Sequence, residues 1–361
     1  MMVTQTPRDR WLLERLTALD CADIPTFLER YTLKSYRLDQ LYRAATKELL
    51  PDPASVTVLP QALRDGLQDA GLRFSLVTPT LVQHSRDGQT TKALFRLADG
   101  AEVESVLMEH YGERRTLCIS SQAGCAFACA FCSTGQSGFG RHLTANEIFD
   151  QARFFAAELA QRERRLTNIV FMGMGEPFHN YDAVMGAVAL LNDPQGLGLG
   201  HRHITISTVG VVPQIDRFAD EALQVNLAIS LHAPNDALRS QIMPVNRKYP
   251  VAELMAACDR YREKTNRKIF YEYLMLDNFN DREETAHELA KLMQRRLAHV
   301  NLIPYNPTPD APYRGSDGAT ITAFRAVLEA AGVPVTVRHP MGRDIAAACG
   351  QLRATAVSQR R

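Results

Sequence analysis

The chain is predicted to fold as an α/β protein, an open partial barrel of six β/α units whose helices cover a parallel sheet. Three observations lead there. From residue 117 onward, short apolar runs alternate with helical patterns, the pattern of parallel strands joined by crossover helices. The units number six, two short of the eight that close a full barrel, so the ring should stay open. Finally, the residues least suited to a core cluster just after the strands, the end at which such barrels carry their sites.

In order, residues 1–78 read as a small helical unit. Trp11, Leu12, Leu16 and Leu19 recur at helical spacing, and Asp23 precedes a second helix at Ile24-Pro25-Thr26-Phe27-Leu28. Leu38, Leu41, Tyr42, Ala45 and Leu49 form one apolar stripe, ended by Pro51-Asp52-Pro53, and Leu59 to Leu72 supplies another helix. Lys34, Arg37, Arg43 and Lys47 lie off the stripe; such charges are usually a solvated face, and the sharper reading is contact with an RNA backbone.

Residues 79–110 read as a three-stranded meander, with Asp87-Gly88 and Asp99-Gly100 as its turns. Its third strand puts Glu104 on a face with Val106 and Met108. Most such glutamates are edge or surface residues, but in an apolar setting near a reactive centre one becomes a candidate proton acceptor.

Residues 111–344 carry the β/α units. Strand-like runs are 117–121, 168–173, 203–208, 225–232, 268–276 and 299–306, with a last at 333–338. Helical patterns fill 144–165, 181–191, 213–222, 251–264, 282–295 and 320–331. Thr144-Ala-Asn-Glu147 is a capping box that opens the first of these helices. Residues 345–361 form a closing segment.

Apolar content of 45% and charged content of 22% are those of an ordinary globular protein. The first ten residues hold no apolar stretch, so no signal peptide is expected, and no run is long enough to span a bilayer. Seven cysteines, an odd number with three clustered, suit a reducing cytoplasm. A net charge of +1 excludes indiscriminate wrapping of phosphates, so any RNA contact must be local.

Cys125, Cys129 and Cys132 form C-x3-C-x2-C in a loop rich in Gly, Ser and Ala. Thiols so close hardly pair as disulfides in a cytosolic chain, and the alternative is a metal site. A closed zinc site could enlist Cys118, but zinc ligands usually come as two separated C-x2-4-C pairs, and Cys118 lies in an apolar, strand-like run. Four-iron clusters usually take four thiolates; three from this loop leave one iron open. Around the same rim fall Gly173-Met174-Gly175-Glu176-Pro177, Ser207, Ser230-Leu231-His232 and Asn306.

C-x3-C-x2-C with Phe131 before its last cysteine resembles the radical S-adenosylmethionine (SAM) superfamily. Ser120-Ser-Gln-Ala-Gly-Cys125, Phe171-Met-Gly-Met-Gly-Glu-Pro177, Ile206-Ser-Thr-Val-Gly-Val-Val-Pro213, Ser230-Leu-His-Ala-Pro-Asn235, Leu302-Ile-Pro-Tyr-Asn-Pro307 and Asp344-Ile-Ala-Ala-Ala-Cys349-Gly-Gln-Leu352 together resemble the RlmN/Cfr family of RNA adenine methyltransferases, over about residues 20 to 353. Tyr305, where Trp would also fit, and Ala346, in place of the more usual Asp, depart from its pattern; neither is a proposed ligand.

The resemblance implies a [4Fe–4S] cluster on Cys125, Cys129 and Cys132, and SAM contacts from Gly175, Glu176, Ser207, Ser230, Leu231, His232 and Asn306. It implies that Cys349 is itself methylated, that Cys118 is its partner thiol and that Glu104 accepts a proton. Carbon 2 of adenine is electron-poor and cannot attack a sulfonium methyl. The family therefore uses two SAM per turnover: one methylates Cys349, the other yields the radical that activates that methyl for addition to the base. A Cys118–Cys349 disulfide then releases the product. The implied partners are 23S ribosomal RNA, transfer RNA and a low-potential electron donor of flavodoxin or ferredoxin type, met by a cytoplasmic monomer without membrane contact. Cys21 and Cys258 match no motif and read as packing residues.

Three functions compete: methylation of adenine C2, the sister methylation of C8, and a zinc-bearing RNA-binding protein without chemistry. Gly-Glu-Pro-Phe-His-Asn and the Pro-Asn-Asp after Leu-His-Ala favour the C2 branch. The zinc reading predicts a colourless protein and leaves Cys349 idle.

Overall fold

The computed structural model describes residues 6–352 except 17, 18, 20, 309 and 310. The ends of the amino-terminal unit and of the closing segment, residues 1–5 and 353–361, lie outside the described residues.

The helical unit comprises α1 (Pro7–Leu16), α2 (Ile24–Arg30), α3 (Ser35–Thr46) and α4 (Gln61–Asp69). The Asp23 carboxylate caps α2 by accepting from the Thr26 N–H. The stripe of α3 is buried through Leu38, Leu41, Tyr42 and Ala45. The helix stops at Thr46, earlier than the proline pair suggests, and the chain turns away at Leu49 with φ 59°. Trp11 fills the centre, edge-on to Tyr42 and Phe74 at 5.9 and 5.8 Å.

The meander is β1 (Thr78–His84), β2 (Thr90–Arg96) and β3 (Glu102–Glu109). Gly88 and Gly100 supply the positive φ that its two turns require. The meander continues into β4 (Arg115–Cys118), which pairs antiparallel with β3 and parallel with β7.

A hairpin of β5 (Gln122–Gly124) and β6 (Phe139–His142) encloses the one-turn helix α5 (Ser133–Gln136). The β/α series follows: α6 (Ala145–Ala160), β7 (Asn168–Phe171), α7 (Tyr181–Asn192), β8 (Ile204–Thr208), α8 (Val212–Asp220), β9 (Asn226–Ser230), α9 (Asp236–Ile242), α10 (Val251–Thr265), β10 (Ile269–Met275), α11 (Glu283–Met293), β11 (Ala298–Pro304), α12 (Gly318–Ala330) and β12 (Val335–Val337). The strands form one sheet ordered β1-β2-β3-β4-β7-β8-β9-β10-β11-β12. From β4 to β12 every neighbour is parallel. The described strands do not close into a ring: β12 pairs with β11 alone. This is the open partial barrel that the unit count predicts.

The Thr144–Glu147 capping box opens α6, but α6 ends at Ala160, short of 165, and Glu163 takes a left-handed φ of 54°. The β5–β6 hairpin and α9 are not foreseen from the sequence; each is too short to display a period. No helix among the described residues is long and apolar enough to cross a membrane.

Candidate functional site

Strands that run parallel end on one rim, and the loops leaving β4, β7, β8, β9 and β11 meet there. The cysteine loop is held rigidly. Gly124, at φ 79°, brings its backbone so close to Gly138 that a Cβ would sit 2.1 Å from that carbonyl oxygen. The Cys125 N–H donates to the same oxygen at 2.8 Å. Ala128 is left-handed at φ 49°, and Gly135 lies against the Cys129 backbone, where a Cβ would come within 2.9 Å. From the far side the Ala130 N–H donates to the Ile242 carbonyl at the end of α9, at 2.9 Å.

Burial pushes the Cys125 thiol up to about 12, with Glu176 and Cys132 adding to the effect against a hydrogen bond from the Phe127 N–H. Cys129 is pushed higher for the same reasons, burial first and then Cys132 and Cys125, with Arg239 opposing. The three sulfurs therefore share one neighbourhood in which bare thiolates repel, and a cationic iron–sulfur core is what would relieve that repulsion. Among the described residues no three or more His, Cys, Asp or Glu side chains converge as the ligands of a single ion do. A four-iron cluster is a larger body that takes thiolates at separate corners, and the donor set fits it.

Glu176 is buried at the exit of β7. Its Oε2 accepts from the Val209 N–H at 2.8 Å and its Oε1 from the Phe178 N–H at 2.9 Å. Burial nevertheless raises it to about 7, against hydrogen bonds from Thr208, Val209 and Phe178. An ammonium group brought beside it would restore its charge. Gly175, at φ 101°, lets this turn press on Gln122; a Cβ would stand 2.5 Å from the Gln122 Cβ. Gln122 was not singled out from the sequence, yet its Oε1 accepts from the Glu176 N–H at 2.8 Å while its Nε2 donates to His142 and His179.

Ser207 and Ser230 face each other, their hydroxyls 3.4 Å apart. Leu231 and His232 both donate backbone N–H groups to the Glu272 carbonyl, at 3.1 and 3.2 Å. The His232 ring lies edge-on to Phe131 at 4.8 Å and accepts at Nδ1 from the Leu274 N–H. Burial, then Arg239, lowers it to about 3, so it is a neutral, fixed ring at physiological pH. Arg239 itself is fully buried on the unforeseen α9 and donates to the carbonyls of Val209, Ser230 and Leu231 and to Asn246.

Asn306 is buried between Arg343 and the closing segment. Its Oδ1 accepts from Arg343 at 2.7 Å, and its Nδ2 donates to the Cys349 carbonyl at 3.4 Å. The segment is also tied through Ser133 N–H to Gly350 at 2.8 Å and Thr134 to Leu352 at 2.6 Å. Arg86 N–H donates to Asp344 at 2.8 Å.

The segment brings Cys349 to Cys118. Cys118 is buried at the end of β4, its thiol pushed up by burial and then by Cys349. Cys349 is exposed, yet protein atoms crowd around its sulfur. That burial, then Glu272 and Cys132, raises its thiol to about 12, with Arg338 opposing. Both thiols are free.

Glu104 is buried on β3, but its setting is not the apolar one expected: the Lys92 ammonium lies 3.2 Å away. Lys92 also donates to the Ala346 carbonyl at 3.3 Å, joining Glu104 to the Cys349 segment. Lys92, Arg239, Glu272 and Arg338 all escape sequence reasoning. The available signal was a charge inside an otherwise apolar run for Lys92 and Glu272; nothing comparable marked the other two.

Of the four basic residues near α3, Arg37 donates to Gln40 and the Val58 carbonyl, and Lys47 to the Pro194 carbonyl. Lys34 and Arg43 are exposed and make no such tie among the described residues.

A model of the radical SAM superfamily matches residues 119–290. A protein of Dictyoglomus thermophilum named "Probable dual-specificity RNA methyltransferase RlmN" is 43% identical over 95% of this chain and 97% of its own length. A Chloroflexus aurantiacus protein of the same name is 48% identical over 92% and 90%. A crystal structure of a radical SAM methyltransferase from Sphaerobacter thermophilus matches with a TM-score of 0.88 at 47% identity, over 92% of this chain and 97% of that one.

Proposed function

The chain belongs to the RlmN family of radical SAM RNA methyltransferases, and we propose that it methylates C2 of a specific adenine in 23S ribosomal RNA and in transfer RNA by way of a methylated Cys349. What supports this reading is that Cys349 lies on a segment tied to the three-cysteine loop through Ser133 and Thr134, near enough to act on the buried Cys118 thiol. A zinc-bearing binder has no use for that pair.

In this reading Cys125, Cys129 and Cys132 hold the [4Fe–4S] cluster, and Gly175, Glu176, Ser207, Ser230, Leu231, His232 and Asn306 hold SAM. The cluster with its bound SAM would supply the one-electron chemistry, including an acceptor for the odd electron left when the methyl carbon adds to the base, fed by a low-potential donor of flavodoxin or ferredoxin type. Each turnover takes two SAM molecules, the first of which methylates Cys349. Burial keeps both functional thiols protonated, so each must lose its proton to act, and Arg338 is the cation that favours this at Cys349. Once the methyl carbon is joined to the base, Glu104 takes the proton from C2. The Cys118 sulfur then attacks the Cys349 sulfur and breaks its bond to that carbon. The base takes up a proton, completing its methyl group, and a disulfide remains for reduction. The enzyme works as a cytoplasmic monomer.

Two measurements test this together. Anaerobically purified protein should be brown with about four iron per chain, and Cys129→Ala should lose both colour and activity. Mass spectrometry of RNA from cells with and without the gene should place the missing methyl on C2. A methyl on C8 would assign the sister activity, and a colourless zinc protein would sink the chemistry altogether.

Lys34 and Arg43 are the two candidates for RNA contact whose side chains make no hydrogen bond or ion pair among the described residues. Replacing both with alanine should weaken RNA binding and lower the slope of log affinity against log salt by roughly 1.5 to 2. An unchanged slope would return them to the solvated face.

A further inference from the structure

The centre holds a third buried carboxylate, besides Glu104 and Glu176, that the steps above leave unused. Glu272 lies midway along β10, abreast of Ser230 on β9 and Asn301 on β11, so the three side chains share one face of the sheet. Its side chain is only 6% exposed. Oε1 accepts from Asn301 at 2.8 Å and lies 3.8 Å from the Arg338 guanidinium. Among the described residues nothing bonds Oε2, and that oxygen is not sealed from the open centre.

An acceptor oxygen that is open and bonded to nothing among the described residues is free to take a donor from whatever enters. Cys349 borders the same space: its carbonyl accepts from Asn306 in the loop leaving β11, the strand that pairs Asn301 with Glu272 and whose Leu302 carbonyl accepts from the Arg338 N–H, and both Glu272 and Arg338 act on its thiol. An open carboxylate oxygen beside a guanidinium offers an acceptor next to donors. Adenine presents the complement, an amino donor next to a ring-nitrogen acceptor, whereas guanine has an acceptor where adenine has its amino group. Bases drawn out of a stack are read along this edge.

We propose that Glu272 and Arg338 read the target base, Oε2 accepting from the exocyclic amino group and the guanidinium donating to N1 beside it. The assignment rests on the adenine-methylation reading. It places the amino edge against β10 and leaves the neighbouring C2 facing Cys349.

The test is a cycle of protein and RNA changes on the full-length, cluster-loaded enzyme. Methyl transfer is measured to substrate RNA carrying adenosine, or purine riboside without the amino group, at the target position. The analogue's intrinsic reactivity is common to all variants and cancels between them. Wild type should prefer adenosine by about tenfold in kcat/KM beyond that intrinsic difference. Glu272→Ala should erase the preference, and Glu272→Gln, which keeps an acceptor oxygen and the shape, should restore most of it. Arg338→Met changes a partly exposed side chain and supplies an independent arm, erasing discrimination against 1-deazaadenosine.

Glu272→Ala retaining the full preference would overturn the assignment. So would a Glu272→Ala that weakens SAM binding in equilibrium dialysis with its base preference intact, since Glu272 would then serve the cofactor. A wild-type enzyme that methylates neither RNA defeats the parent reading and this one with it.

Discussion

Cys118→Ala should accumulate a covalent protein–RNA adduct through Cys349. The substitution removes the sulfur that frees the product while leaving the cysteine loop, the Glu176 turn and Cys349 in place. The adduct should survive denaturant and be trimmed by ribonuclease to a residual nucleotide, visible in the intact mass. Cys349→Ala should give neither adduct nor methylated adenine, yet bind the same iron. Full turnover by Cys118→Ala would reduce Cys118 to a packing residue at the end of β4. Methylation by Cys349→Ala would replace the covalent route with direct transfer.

The largest loss of stability is expected from Asp150→Ala. Asp150 and Arg15 are both fully buried, with Arg15 Nη2 2.7 Å from Asp150 Oδ2, which also accepts from the Leu76 N–H at 2.8 Å. Arg15 donates in addition to the carbonyls of Trp11, Arg73 and Phe74, so this one pair joins α1 to α6 and to the entry of the meander. Burial outweighs the attraction on both sides, raising the Asp150 carboxyl and lowering Arg15. The intact pair is therefore no great source of stability, but removing one member strands the other. The cost should be about 3–5 kcal/mol, read as a lower urea midpoint. The double change Arg15→Met with Asp150→Leu should recover much of it. A single variant as stable as wild type would mean that water reaches the joint.

Much of this could be read from the chain. Apolar runs long enough to show alternation or a helical stripe located the parallel strands, and the unit count left the ring open. The rim emerged because Ser207 closes a strand and Glu176, His232 and Asn306 come just after others. The partners of those residues were not legible. Lys92 meets Glu104 only through the pairing of β2 with β3, and Arg338 reaches Glu272 only because β12 lies beyond β11. Arg239 rides on a two-turn helix whose pattern is too brief to register. Glu272, one carboxylate within Ile-Phe-Tyr-Glu-Tyr-Leu-Met, was visible as an oddity, but its inward direction depends on register.

The strand β4 has neighbours of opposite sense, β3 antiparallel on one side and β7 parallel on the other. The short stretch between β3 and β4 thus resembles a domain linker in sequence without being a seam in the fold. A fragment begun there would expose β4 as a bare edge, its N–H and C=O groups open to pairing with another copy. The shared sheet makes the meander and the barrel one structural unit.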